Sequence, residues 1–324
     1  MTQPITIVVT GSNRGIGRGI IQLLASTQHT RPLKIHATSR SGSDLQVTPS
    51  HSNTIHYSKL DISSLTSITE FLHSTVKNDI PIDILINNAG INNNNRETPS
   101  LAQEVINVNY HGTKNMCLAF LNEGQMAQNP LARIVNVSST ASQLSNYASS
   151  LQQQFRSVQS TADVDALSSA YLATVSEGGD AQKAEGWGAG PRSYQVSKAC
   201  INALTVVLAS EYPRVLVNCC CPGWVDTDMG HQVGTPSKTL EEGSRIPVRL
   251  AIGELGVGGD GDGDGGLEKV TEAGWRTERV SGRYFGNDGV GDRGWRSGLG
   301  ACEGVVKNTI SSVDVVMACV RSVG

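Results

Sequence analysis

The chain has 324 residues and a mass of 34.3 kDa, the length of one large domain or two small ones. Its 26 basic and 29 acidic residues give a net charge of −3, without the basic excess of nucleic-acid binders, and no apolar run approaches the roughly 18–20 residues that cross a bilayer. The start lacks the basic segment of a secretory signal, and the odd cysteine count, with Cys219, Cys220 and Cys221 consecutive, predicts free thiols of a cytoplasmic chain, neither a disulfide framework nor a metal site.

In chain order, short apolar runs alternate with stretches of helical spacing. Strands buried on both faces are expected at Ile5–Thr10, Lys34–Ser39, Ile55–Leu60, Ile82–Asn87, Arg133–Ser138 and Val215–Cys221. Helices are expected at Ile16–Ala25, Leu65–Val76, Leu101–Leu121 and Tyr194–Glu211. This alternation predicts an α/β fold, a doubly wound parallel sheet that binds ligands beyond the carboxyl ends of its strands.

Two segments break the rhythm. Residues 143–191 read as a helical insertion, with helices at Ala148–Val158 and Asp163–Val175 and a glycine-rich turn after them. Further on, 17 of the 35 glycines fall between Gly253 and Gly304, a density that opposes any regular helix, beginning with a Gly/Asp-rich loop at about 253–266. Val280–Phe285 supplies a last strand, which makes 1–286 one domain; residues 287–324 carry no assignable pattern and read as a poorly ordered tail. Asp260, Asp262 and Asp264 imitate the opening of a calcium loop, but Thr271 stands where the twelfth-position ligand belongs. Asn136-Val137-Ser138 fits a glycosylation sequon and lies in an expected buried strand.

The stretch Thr10-Gly11-Ser12-Asn13-Arg14-Gly15-Ile16-Gly17 leaves the first strand and opens the first helix. Glycines there allow a tight turn and let a pyrophosphate approach the amides of a helix N-terminus. Tyr194 and Lys198 are four residues apart and share a helix face. An ammonium beside a phenol favours the phenolate, which predicts a lowered tyrosine pKa and a group able to exchange a proton with a carbonyl or an alcohol. Ser139 is placed to hydrogen-bond the same oxygen. Nicotinamide sites that take NAD carry an acidic residue after the second strand. Here Ala37-Thr38-Ser39-Arg40-Ser41 has none before Asp44, and Arg14 and Arg40 are placed to flank a 2′-phosphate, which favours NADPH/NADP as cofactor.

The ordered set resembles the short-chain dehydrogenase/reductase family over roughly Ile5–Gly286. Besides the glycine stretch it comprises Asn87-Asn88-Ala89-Gly90, Asn109, Asn136-Val137-Ser138-Ser139, Tyr194-Gln195-Val196-Ser197-Lys198, and Pro222-Gly223 with Thr227. The long separation of Ser139 from Tyr194, together with Cys220-Cys221-Pro222-Gly223-Trp224-Val225, is most similar to the carbonyl reductase (NADPH) branch. That resemblance implies a Rossmann-type fold and catalysis by Asn109, Ser139, Tyr194 and Lys198, with Asn109 holding a water of the proton relay. It implies cofactor contacts at Gly11, Asn13, Arg14, Gly15, Ile16, Gly17, Arg40, Asp61, Ile62, Asn88, Ala89, Gly90, Tyr194, Lys198, Pro222, Gly223, Val225 and Thr227. Trp224 and Met229 would wall the substrate beside Ser139 and Tyr194. The implied reaction is NADPH-dependent reduction of a ketone, aldehyde or quinone. The same groups serve NADP-dependent alcohol oxidation, and a non-catalytic NADPH sensor is the alternative from another class. The insertion covers the helix face through which other members form tetramers, which implies a monomer. Asp61 has a second reading as the cap of the following helix.

Overall fold

A computed structural model of the chain describes residues 3–75, 82–93, 96–253 and 281–286. The glycine–aspartate run with Asp260, Asp262 and Asp264, Val280, and everything from Asn287 onward lie outside the described residues.

The strands are β1 (Ile5–Val9), β2 (Leu33–Ser39), β3 (Thr54–Lys59), β4 (Ile84–Asn87), β5 (Arg133–Val137), β6 (Leu216–Cys220) and β7 (Tyr284–Phe285). They pair in parallel in the order β3-β2-β1-β4-β5-β6-β7. Successive strand side chains point to opposite faces, and both faces are apolar. Val8, Leu85, Ile134 and Val217 enter one core, whereas Ile7, Val9, Ile84, Ile86, Val135 and Val137 enter the other. Helices α1 (Gly15–Ser26) and α10 (Leu240–Ile252) cover the second core. The first is covered by α2 (Leu65–Thr75), α3 (Pro99–Ile106), α4 (Thr113–Asn122) and α8 (Ser193–Glu211). The doubly wound parallel sheet is the architecture expected from the strand–helix alternation.

Three local expectations are corrected. β3 is an edge strand with exposed and part-buried side chains, not one buried on both faces, because nothing pairs on its outer side among the described residues. The single helix expected at Leu101–Leu121 is broken into α3 and α4 by a π-helical turn, Asn107–Gly112. Gly112 packs there so closely that a Cβ would lie 2.9 Å from the Ile62 carbonyl oxygen. The glycine-rich turn after the second insertion helix holds a further short helix.

The insertion itself consists of α5 (Ser149–Ser157), α6 (Thr161–Glu177) and α7 (Gly179–Ala184). α6 opens with a capping box in which Ser160 and Asp163 satisfy each other's backbone amides. It packs on α3 and α8. The latter is buried at every position from Val196 to Leu208, since the sheet lies on one side and the insertion on the other. A short helix, α9 (Asp228–His231), follows β6. The cysteines among the described residues are buried free thiols, and no described helix is long and apolar enough to cross a membrane.

Candidate active site

The chain winds from β1 out to β3 and returns at β4, so the strand order reverses between β1 and β4. At their carboxyl ends the glycine stretch and Asn88–Gly90 clamp together. Asn88 Nδ2 donates to the carbonyls of Thr10 (2.9 Å) and Gly11 (3.1 Å), and Thr10 Oγ1 accepts from the amides of Asn88 and Ala89, each at 3.0 Å. Gly11 holds φ +64°, and a Cβ there would lie 2.8 Å from Ala89 Cα. A Cβ on Gly17 would lie 2.2 Å from the Gly11 carbonyl oxygen and 2.6 Å from Asn88 Nδ2. The first turn of α1 has no side-chain cap, whereas α3, α6, α9 and α10 are each capped by their own Thr or Ser. Uncapped amides under a backbone that no side chain encumbers fit a pyrophosphate.

Ser139 follows β5 in an extended conformation, where its hydroxyl accepts from Ala141 N (3.1 Å) and lies beside the Tyr194 phenol. Its neighbour Ser138 is buried and points away, donating to Asn202 Oδ1 at 2.6 Å. Tyr194 stands in the first turn of α8, and Lys198 Nζ lies 5.6 Å from the centroid of its ring. The same ammonium donates to the Val137 carbonyl at 2.8 Å. Asn109, in the π-helical turn, exchanges hydrogen bonds with the Ile91 backbone (2.8 and 2.9 Å) and donates to Ser197 Oγ at 3.0 Å. A Cβ on Gly90 would lie 3.2 Å from Asn109 Oδ1 and 3.7 Å from Lys198 Nζ, so the phosphate cradle and this polar group share one crevice.

Burial dominates the electrostatics. The Tyr194 phenol is pushed up to about 12, with the Cys221 thiol adding to the shift and Ser139 opposing it. Lys198 is pushed down to about 8, again by burial. The expected acidification of Tyr194 by Lys198 is therefore corrected: burial pushes the phenol up, and the ammonium donates to the Val137 carbonyl.

The remaining expected residues fall into three groups. Asn13 and Arg40 are exposed at the rim, and Arg14 pairs with Asp228 at 3.5 Å across the mouth of the crevice. Behind Arg40, the hydroxyls of Ser39, Ser41 and Ser43 form a hydrogen-bonded turn. Gly15 faces Thr227, while Ile16, Ile62 and Val225 are packing groups: Ile62 against Gly112, and Val225 in the space left by Gly243. Asp61 accepts from the amide (3.0 Å) and hydroxyl (2.6 Å) of Ser63 in the turn before α2. Pro222 and Gly223 follow β6, and the methylenes of buried Lys238 lie against Gly223. Trp224 is 42% exposed, anchored by an indole bond to the Gly230 carbonyl (3.0 Å), and Met229, in the short helix α9, is half-buried. Sequence reading passed over Thr10 as a clamp and over Ser197 as the partner of Asn109; both bonds join segments distant in the chain, and no local pattern signals them.

A phosphate cradle at the point of strand reversal, facing a tyrosine–lysine pair, places the molecule among the dinucleotide-binding α/β enzymes. The family model for short chain dehydrogenase matches residues 5–151. (+)-Neomenthol dehydrogenase of Arabidopsis thaliana is 33% identical over 286 residues, 77% of this chain and 92% of that protein. Carbonyl reductase (NADPH) 1 of Mus musculus is 32% identical, over 78% of this chain and 91% of that protein. The solved structure of salutaridine reductase from Papaver somniferum superposes with a TM-score of 0.66 at 25% identity, covering 77% of this chain and 96% of that one. The chain belongs to the short-chain dehydrogenase family and is an oxidoreductase.

Proposed function

We propose that the chain reduces a ketone, aldehyde or quinone to the alcohol with NADPH, using Tyr194 as the acid. The observation that carries this reading is the grouping of Ser139, a neutral Tyr194 phenol and Lys198 beside its ring, next to the loop packed against the glycine stretch. The names of two relatives, a carbonyl reductase (NADPH) and a neomenthol dehydrogenase, point the same way.

Gly11, Gly17 and the first turn of α1 would hold the pyrophosphate, Arg40 and the serine turn behind it a 2′-phosphate, and Pro222–Thr227 the nicotinamide. When bound, the nicotinamide supplies a hydride to the carbonyl carbon. Ser139 fixes the carbonyl oxygen, and Tyr194 gives that oxygen its phenolic proton, so that C=O becomes CH–OH. Lys198, a cation next to the ring, stabilises the phenolate left behind. Asn109, locked to Ile91 and Ser197, holds the loop after β4 against the lysine so that a water can return the proton. The same groups run backwards would oxidise an alcohol with NADP, and the ratio of reduced to oxidised cofactor decides the direction. Trp224 and Met229 form the apolar side of the substrate space. Buried free thiols fit a cytoplasmic chain, and α6 lying over α8 fits a monomer.

Tyr194→Phe is the test, with aromatic aldehydes, diketones and quinones as substrates. It should cut kcat by about 10²–10⁴-fold while NADPH binds as before. Turnover close to that of the parent would falsify the assignment of the acid. Tight NADPH binding by the parent without turnover of any carbonyl would favour the sensor instead.

A further inference from the structure

The helix that carries Tyr194 has no cap of its own. Arg192, at the N-cap of α8, offers its amide no side-chain partner from within the helix. The missing acceptor comes from the loop before α3. Glu97 Oε2 accepts from Arg192 N at 2.5 Å and Oε1 from Ser193 N at 2.9 Å, and Tyr194 is the next residue. The same Oε1 accepts the phenolic proton of Tyr171, 2.5 Å away on α6 of the insertion. Tyr171 is fully buried, with its ring 5.3 Å from that of Trp187. One carboxylate thus ties the first amides of α8 to the interior of the insertion. A negative group also suits the positive end of the helix dipole.

We propose that Glu97 is a positioning residue for Tyr194, and that through its bond to Tyr171 the insertion sets the place from which the proton is delivered. The proposal rests on Tyr194 being the acid. Its reach is confined to the first turn of α8. Lys198 lies a turn deeper, held by Val137, and the glycine cradle is built from β1 and β4, so neither depends on Glu97.

The experiment compares Glu97→Ala, Glu97→Gln and Tyr171→Phe with the parent in steady-state kinetics, NADPH titration and thermal melting. Loss of the cap should lower kcat about 30-fold in Glu97→Ala, the scale of a small misplacement of a reacting group. Glu97→Gln, which keeps the volume and one acceptor oxygen, should recover part of that loss. Tyr171→Phe, which keeps the cap and loses only the link, should show a smaller fall. In all three the NADPH dissociation constant should stay within about twofold of the parent, a split that a general loosening of the fold does not produce. An unchanged kcat in folded Glu97→Ala, or a fall in kcat matched by an equal loss of NADPH affinity, overturns the proposal. Should Glu97→Ala fail to fold, Glu97→Gln and Tyr171→Phe are judged by the same criteria. Tyr194→Phe run alongside separates the two claims: an inactive Tyr194→Phe with a fully active Glu97→Ala sinks only the role of Glu97, whereas an active Tyr194→Phe sinks the acid itself.

Discussion

At the scale of single residues, burial decides the chemistry more than neighbouring charge does. Lys198 is lowered to about 8 by desolvation. If the proposed mechanism holds, reduction needs its ammonium beside the nascent phenolate, and kcat/KM should fall as pH rises through about 8. In Lys198→Arg that limb should move out of the accessible range, because guanidinium stays protonated; a pH profile unchanged by the substitution would refute the link. Arg40 invites a second measurement. If Arg40 forks a 2′-phosphate as proposed, Arg40→Ala should reduce the preference for NADPH over NADH by about tenfold or more. Equal efficiencies before and after would show that the cofactor is chosen elsewhere. Asn109, Ser139, Tyr194 and Lys198 were legible because each stands in an ordered local motif. The choice of Ser139 over Ser138 follows from burial: Ser138 is committed to Asn202. Glu97 was illegible, since its partners Tyr171, Arg192 and Ser193 lie far along the chain and contribute through two backbone amides and one phenol.

At the scale of elements, strands whose residues are apolar on both faces were easy to read, and the exceptions have physical reasons. β3 fills an edge, where Thr54, His56 and Lys59 meet solvent. The break at Asn107–Gly112 is invisible to periodicity, because a π-helical turn adds one residue to a run that is apolar before and after it. That added residue turns Asn109 inward toward Ile91 and Ser197. The insertion was legible as two helices but not as a packed unit. It is organised by Trp187, which is 1% exposed and meets Tyr147, Phe155 and Tyr171 edge-on, with ring centroids 5.9, 6.3 and 5.3 Å away. Truncation to Trp187→Ala should cost about 3–5 kcal/mol, the range for large aromatic deletions in cores. Urea unfolding measures it, and a loss below about 1 kcal/mol would mean that these rings do not hold the insertion.

At the scale of the whole molecule, two apolar cores share one sheet, and a histidine marks where acid enters the balance. His36 is buried on β2, stacked on His56 at 5.3 Å, and held down to about 4 by desolvation, with Lys34 and His56 adding to the effect. The unfolded chain takes up that proton near 6.5, the folded one not until about 4. The contribution of His36 to stability is therefore whole above about pH 6.5 and declines by about 3 kcal/mol as pH falls toward 4. In His36→Leu that slope should shrink, and denaturation midpoints at several pH values that give an unchanged slope would refute the role of His36. The parallel sheet has one more consequence, for synthesis. Among the described strands no neighbours are joined by a hairpin, so every rung waits for its crossover to close. The parts of the nucleotide cradle leave the ribosome with β1 and β4, long before the helix bearing the phenol has been made. The residues proposed to cradle the coenzyme are thus translated well before the group proposed to use it.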